Sequence, residues 1–361
     1  MKNIIAFRVF VIVLSVCGFV KAGPYNEWGV ASYIGPDYKP TTPLDENGVL
    51  NPIFSGWATG YVFEPTPMPL PTSPRYPREL MYFDPSMALG PSYSNEAYDT
   101  VSLGDLDQND IAAGITPGQI TLSFAETIAD QNGYDFAVFE NGFRVTVNKY
   151  FCELGYVEVS SNGIDFARFP SVSLTSVQDP NAYYYLDITA LYNLAGKHPN
   201  NGGEFTGTPF DLAELVNEPN VLNESVDLNN IYYVRIVDIP GSGDFADNAT
   251  WQIDPCTWPE WGYYDANHPV YDAWPTYGSD GMDLEAIGIL HPQEYSGDIN
   301  LDGIVDFEDL DIFAQAWLSH FGQDNYLTRC DLAETRDLIV DFSDFAVFSQ
   351  SWMKTEQWRN D

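Results

Sequence analysis

Two kinds of periodicity divide the chain. Between about residues 101 and 290, short runs rich in β-branched and aromatic residues recur at 119–125, 134–140, 156–161, 164–169, 232–239 and 284–290. Each has strand length and is bounded by Gly, Pro, Asn or Asp. The run Ser161, Asn162, Gly163, Ile164 predicts a hairpin, because Asn-Gly accepts the positive φ angles of a type I′ turn. Helical spacing is scarce there, with one short candidate at 210–217. The pattern predicts a mainly β fold, an antiparallel β-sandwich of jelly-roll type over 101–290. Beyond residue 297 the period changes. Leu310, Phe313, Ala314, Trp317 and Leu318 fall at i, i+3, i+4, i+7 and i+8, one apolar helix face. The pattern returns 35 residues later, with Val340, Asp341, Phe342, Asp344, Phe348, Gln350 and Trp352 matching Val305, Asp306, Phe307, Asp309, Phe313, Gln315 and Trp317. Two tandem loop–helix units predict a small all-α module over 297–358, in which each helix covers the other's apolar stripe.

The remaining segments are read from composition. Residues 1–22 have the form of a secretory signal peptide: Lys2, a mostly apolar stretch from Ile4 to Val20, and small or apolar residues at Val20 and Ala22. The stretch is short for a membrane span and Arg8 interrupts it, so no span is expected after cleavage. Residues 23–100 hold thirteen of the 25 prolines and read as loop or extended chain packing on the sandwich. Residues 291–296 read as a linker.

The 361 residues suffice for a sizeable core and one to three domains. The 52 acidic side chains outnumber 15 basic ones, for a net charge of −37. Cleavage after Ala22 leaves twelve basic against 52 acidic groups, a net −40. Such a surface excludes nucleic acid and anionic membrane as partners. It favours cations and neutral ligands. Of the four cysteines, cleavage removes Cys17. One bridge among Cys152, Cys256 and Cys330 is allowed in an exported protein, and Cys152–Cys256 is the pairing expected. His198, His268, His291 and His320 are scattered, so no zinc site is expected.

The most specific chemistry is a twelve-residue acidic loop. Asp298, Asn300, Asp302, Asp306 and Asp309 supply side-chain oxygens at positions 1, 3, 5, 9 and 12; Gly303 stands at position 6 for the sharp turn, and Ile304 offers its carbonyl at position 7. A hard divalent cation needs six or seven oxygens at short range, and Ca2+ is the ion implied. Counting back from Asp344 in the second unit gives Asp341 at position 9, Asp337 at 5 and Ala333 at 1, with Leu338 where Gly is expected. Calcium there is in doubt, though an insertion would bring in Asp331.

The tandem units resemble a type I dockerin, over roughly 297–352. That resemblance implies calcium binding, a cohesin-like partner, and attachment to secreted polysaccharide-degrading systems. In the family, loop positions 10 and 11 contact the partner. Here they are Phe307 and Glu308, then Phe342 and Ser343, and the expectation for Phe307 and Phe342 is packing inside the module. Within the large domain, residues 134–143, 153–161, 194–198, 207–212, 233–238 and 282–287 resemble a family of bacterial cell-surface proteins that often carry sorting tails or dockerins. The strand, Asn-Gly turn and later Tyr233–Ile236 and Asp283–Ile287 runs are more loosely similar to galactose-binding-like jelly rolls.

Three functions follow for an exported or cell-surface protein. The first is non-catalytic glycan binding by the aromatic-rich segment 251–277, with Trp251, Trp258, Trp261, Tyr264 and Trp274 as stacking platforms. A second is polysaccharide hydrolysis or lysis, with Glu140, Glu153, Glu158, Asp238 and Asp283 as candidate carboxylates and Lys197 beside His198 as a lyase pair. The third is structural adhesion stiffened by calcium at Asp105, Asp107, Asn109 and Asp110, or at Asp265, Asn267 and Asp272.

Overall fold

The structure, a computed structural model, describes residues 25, 27–36, 39–67, 80–92, 99–146, 149–175, 185–249, 267–276, 278–293, 295–320, 323, 325–333 and 339–360. The main strands in chain order are β1 (Val30–Ala31), β2 (Phe54–Trp57), β3 (Gly60–Glu64), β4 (Val101–Ser102), β5 (Gln119–Ile128), β6 (Phe136–Thr146), β7 (Lys149–Phe151), β8 (Gly155–Ser160), β9 (Ala167–Arg168), β10 (Pro199–Asn201), β11 (Thr206–Phe210), β12 (Ile231–Asp238) and β13 (Asp283–Leu290). Two helices follow, α1 (Phe307–Ala316) and α2 (Phe342–Ser351). The chain is mainly β, built of antiparallel sheets with few helices. No helix among the described residues is long and apolar enough to cross a membrane.

The first sheet runs β1-β11-β6-β13-β2, with β7 and β10 also on β6 and β4 on β13; the second runs β9-β8-β12-β5-β3. All pairs are antiparallel except β10 on β6. Alternation sets the faces. Ile120, Leu122 and Phe124 of β5, Val157 and Val159 of β8, and Val234 and Ile236 of β12 point inward. They meet Phe136 and Val138 of β6, Phe210 of β11, and Leu284, Ile287 and Ile289 of β13 in one shared core. Each fully buried side chain of this size contributes roughly 1.5–3 kcal/mol. The arrangement is consistent with a β-sandwich.

The first sheet is covered on its other face too. Ala137 and Phe139 of β6 join Val30, Ile53, Phe54, Ala286 and Leu290, and this cluster takes in Leu301 and Trp358 from the C-terminal region. His291 stacks on Trp358 with ring centroids 5.1 Å apart. The amides of Leu290, His291 and Gln293 donate to the carbonyls of Asp135, Ile53 and Asn132.

In the C-terminal pair, Phe313 and Ala316 of α1 pack on Phe348 of α2, with Ile299, Val305, Tyr326, Cys330 and Val340 around them. The Phe313 and Phe348 rings are stacked at 5.3 Å. The two units obey one internal symmetry: isolated bridges join Ile304 to Thr355 and His320 to Ile339, and Asp306 and Asp341 cap their helices with near-identical backbone angles. Ala314 and Leu318 are exposed, unlike their place in the expected apolar stripe. Helix α1 ends at Ala316 and Leu318 takes a positive φ of 58°, which breaks the helical phase.

Several expectations are corrected. The sheets begin before residue 101, because β2 pairs with β13 and β3 with β5; flanking prolines obscure these short strands. The strand expected at 164–169 shrinks to β9. The hairpin joining β8 to β9 is not a two-residue type I′ turn. Val159 pairs with Ala167, and Asn162 Oδ1 accepts the amides of Ile164 at 2.8 Å and Asp165 at 2.9 Å, closing a longer Asx turn. The helix expected at 210–217 is the end of β11 followed by a 3-10 turn over Leu212–Leu215, capped by Asp211. Cys152 is a buried free thiol among the described residues; Cys256, the partner expected for it, lies outside them.

One buried acid carries a pH prediction. Glu214 accepts a hydrogen bond from the Tyr192 hydroxyl at 2.7 Å and one from the Asn193 amide. Burial raises its pKa to about 7, against the lowering effect of those bonds. A carboxyl raised in the folded state contributes stability below its unfolded pKa, and that stability is lost as pH rises through the folded value. Glu214→Gln, neutral throughout, should match the wild type near pH 4 and gain on it between pH 4.5 and 7. The advantage should level off at about 3 kcal/mol. Urea melts of both chains at pH 4, 6 and 8 test this; a constant difference across pH refutes it.

Candidate functional site

The acidic loop at 298–309 closes on itself through its own carboxylates. Asp298 Oδ1 accepts the amide of Asp302 at 3.1 Å, and its Oδ2 accepts Gly303 at 2.9 Å. Asn300 Oδ1 accepts the same Asp302 amide at 3.0 Å, and Asp302 Oδ1 accepts Ile304 at 2.8 Å. At the far end, Asp309 Oδ1 accepts Ile299 at 2.7 Å and Asn300 at 3.1 Å, while its Oδ2 accepts Asp306 at 2.8 Å. Asp306 caps α1 by accepting Glu308 at 2.8 Å. Gly303 has φ +85° and packs under Trp358, which leaves no space for a side chain.

These bonds fold three acids inward. Asp298, Asp302 and Asp309 are 3%, 3% and 0% exposed. Burial, then Asp309 and Asp302, raises the Asp298 carboxyl well above its ordinary range. Burial raises Asp309 to about 6 and also raises Asp302. The Arg359 guanidinium stands 4.0 Å from Asp302 Oδ1, and Arg329 donates to the loop's Ile299 carbonyl at 2.9 Å. Asp298, Asn300, Asp302 and Asp309 thus put oxygen donors with an excess of negative charge into one loop, although the carboxylate oxygens of Asp298, Asp302 and Asp309 do not all lie within 4.8 Å of one another. That chemistry fits a hard divalent cation such as Ca2+.

The second loop is related but altered. Asp344 Oδ1 accepts Leu332 at 2.7 Å and Ala333 at 2.9 Å, and its Oδ2 accepts Asp341 at 2.7 Å. These bonds make Leu332 and Ala333 the counterparts of Ile299 and Asn300, so Asp331 stands where Asp298 does. The count back from Asp344 is thereby corrected: two extra residues lie inside the loop, and Ala333 is not its first position. Asp331 is buried and accepts the Tyr326 hydroxyl at 2.9 Å. Asp337 lies outside the described residues.

Phe307 and Phe342 do not pack inside. They are 72% and 74% exposed. Each meets the other unit's Trp edge-on: Phe307 meets Trp352 at 5.2 Å and Phe342 meets Trp317 at 4.9 Å.

Most of the aromatic segment, including Trp251, Trp258, Trp261 and Tyr264, lies outside the described residues, as do Cys256 and Asp265. Trp274 is half-buried and its indole N–H donates to the Leu106 carbonyl at 2.7 Å. Asp107 and Asp110 form a reciprocal capping box on the short helix Gln108–Ala112. Asp105 and Asp272 instead accept the amides of Thr276 at 3.0 Å and Leu154 at 2.7 Å.

Of the five candidate hydrolase carboxylates, Glu158 stands apart, held between Arg168 and Arg235. Glu140, Glu153, Asp238 and Asp283 are all buried at one end of the two-sheet core. Lys197 is fully buried, pairs with Glu27 and donates to the Tyr25 carbonyl at 3.0 Å, tying down the N-terminal segment. His198 beside it is held well below its ordinary range by burial. Sequence reasoning missed a third acidic group: Asp130, Asp135 and Asp211 bring carboxylate oxygens within 4.8 Å of one another, close enough to hold a metal. Burial raises Asp135 to about 7, although both its oxygens already accept amides, from Gln131 and Leu212. No sequence spacing signals this group, since Asp211 comes from another strand end. Comparison with family models gives no match, and neither does comparison with curated proteins.

Proposed function

We propose that the chain is an exported bacterial protein whose C-terminal loop–helix pair is a calcium-stabilised, dockerin-like tether. The two-sheet domain, of jelly-roll type, then serves non-catalytic glycan binding or surface interaction. The observation that carries this reading is the 298–309 loop, where three carboxylates are buried within twelve residues and two arginines attend them, Arg359 at Asp302 and Arg329 at the Ile299 carbonyl. Bound calcium supplies the positive charge that lets these acids stay ionised together. Asp298 and Asp309 shape the loop through its amides, and Asp302 and Asn300 present further oxygens.

The partner face follows from the same repeat. Phe307 and Phe342 sit at the same position of the two units and are exposed to a similar degree, an apolar pair suited to a cohesin-like protein. The burial of Glu140, Glu153, Asp238 and Asp283 favours binding over hydrolysis, because a glycosidase needs its two carboxyls across an open cleft.

The test uses the full chain. In calcium at a hundred-fold excess over its dissociation constant, the C-terminal transition should be stabilised by about 2.7 kcal/mol relative to chelator. A melt that does not respond to chelation sinks the tether reading. For the large domain, glycan binding without release of reducing sugar is the expected outcome, and release of sugar favours the hydrolase instead.

A further inference from the structure

The outer face of the second sheet carries a positive spot on a chain of net charge −37. Val157 and Val159 of β8, Val234 and Ile236 of β12, Ile120 and Leu122 of β5, and Ala167 of β9 fill the shared core. The residues between them therefore face the other way. The registers set Arg168 of β9 opposite Glu158 of β8, Glu158 opposite Arg235 of β12, and Arg235 opposite Thr121 of β5. The adjacent positions on the same face are uncharged: Tyr156, Val237 and Gln119 on one side, Ser160, Tyr233 and Ser123 on the other. The first acid beyond them is Glu64 on edge strand β3, and it accepts the Gln119 side-chain amide at 2.6 Å.

One carboxylate answers two guanidiniums. Arg168 Nε donates to Glu158 Oε1 at 2.7 Å, and Arg235 Nε donates to Oε2 at 2.5 Å. The Nη2 group of each arginine meets the same oxygen as its Nε. Both Nη1 groups are left without an acceptor among the described residues. Glu158 is buried, whereas the side chains of Arg168 and Arg235 are 38% and 24% exposed. Two partly exposed positive charges thus flank one buried negative charge, an excess of one.

Aromatic rings hold both cations in place. Arg168 lies over the Tyr156 ring, 4.4 Å from its centroid, and Arg235 over the Phe166 ring at 3.6 Å. The Tyr156 hydroxyl donates to the Ala246 carbonyl at 2.6 Å, which fixes that ring. A guanidinium clamped by a carboxylate edge and an aromatic face has little freedom left to lose when it binds an anion.

We propose that the Arg168–Glu158–Arg235 row is a subsite for a single acid group on an otherwise neutral glycan, either a uronate carboxylate or a sulfate ester. This rests on the glycan-binding reading of the two-sheet domain and names the class of glycan. The unspent guanidinium N–H groups supply charge-assisted hydrogen bonds to either anion. Thr121, Ser123 and Tyr233 on the same face offer hydroxyls and a ring to the neutral sugars beside it. The rest of the surface sets the other half of the specificity. A densely charged polyanion is repelled by the acidic surface, whereas a lone acid group brings one charge to the one place that matches it.

The test titrates the full chain with two pairs of polymers by calorimetry. One pair is glucuronoxylan and its carboxyl-reduced form; the other is a sparsely sulfated galactan and its desulfated form. One acidic polymer should bind about tenfold more tightly than its neutral twin, and the pair that shows this margin identifies the anion. Arg168→Gln, which leaves Glu158 paired with Arg235, should lose the margin and bind both twins alike. Glu158→Gln, which removes the competing carboxylate, should widen it, and it decides the matter if Arg168→Gln does not fold. The proposal is overturned if both pairs of twins bind wild type alike, if Arg168→Gln keeps the margin, or if Glu158→Gln abolishes it. Twins bound equally leave the glycan reading intact. Binding to none of the four overturns the proposal, and a negative screen of neutral glycans then removes the glycan reading as well.

Discussion

Asp309→Ala is expected to unfold the C-terminal helix pair even in saturating calcium. The Asp309 carboxylate is completely buried and accepts three backbone amides, those of Ile299, Asn300 and Asp306. Alanine leaves all three without an acceptor, at roughly 1–3 kcal/mol each. A loss of about 3–5 kcal/mol, on top of any calcium lost, approaches the whole stability of a small unit. Asp309→Asn should be milder, since one carbonyl oxygen remains for Ile299 and Asn300 while the Asp306 amide meets an NH2 group. Asp344 separates structure from metal. It accepts Leu332, Ala333 and Asp341 in the same way, yet the counterpart of Asn300 is Ala333, which has no side-chain oxygen to offer. Asp344→Ala should therefore cost as much as Asp309→Ala, while the first loop's calcium response persists in any Asp344→Asn chain that folds. Hydrogen exchange over 307–316 and 342–351 reads both. Full protection of α1 in Asp309→Ala would falsify the bracing role.

The closed turn of the first loop was legible because Gly303 and the acids that accept its amides lie within twelve consecutive residues. The second shows how that legibility fails. Two inserted residues moved the true start to Asp331, and only the Asp344 bonds to Leu332 and Ala333 reveal the register. Phe307 and Phe342 read as core from composition, but the capping aspartates just before them turn both rings outward. The strands of the large domain were visible one by one, whereas their partners were not. Glu140 is placed opposite Leu284 by a pairing across more than a hundred residues, and Glu153 reaches the same interior from the other sheet. In a chain with 52 acids, no spacing singles out those two.

Phe136→Ala should give the largest loss in the two-sheet domain, about 4–5 kcal/mol. Phe136 is fully buried and stacks on Phe210 with centroids 5.3 Å apart. Phe169 stands edge-on to both, at 5.8 Å from Phe136 and 5.0 Å from Phe210. Phe136 and Phe210 belong to the first sheet, while Phe169 follows β9 of the second and donates its amide to Val157. The trio therefore ties the sheets together at the end of the core where β6 begins. Truncating its central ring removes apolar contact and leaves a cavity, at roughly 3–5 kcal/mol. Two lost ring pairs add about 0.5–1.5 kcal/mol each, less whatever the neighbours recover by collapsing. Phe136→Leu, which keeps most of the volume, should cost roughly half as much. Val62→Ala on edge strand β3, where the side chain is 61% exposed, should stay within about 0.5 kcal/mol. Urea melts of the three chains provide the comparison. Strand β6 also bears on the C-terminal helix pair. The residue after Phe136, Ala137, together with Phe139, lies in the cluster that receives Leu301 and Trp358, so β6 is shared by the inter-sheet core and the seat of the C-terminal pair. Loosening β6 should lower the transition of the helix pair as well. If that transition holds its midpoint in Phe136→Ala, the contact through Leu301 and Trp358 contributes little, and the helix pair draws its stability from calcium and from its own Phe313–Phe348 core.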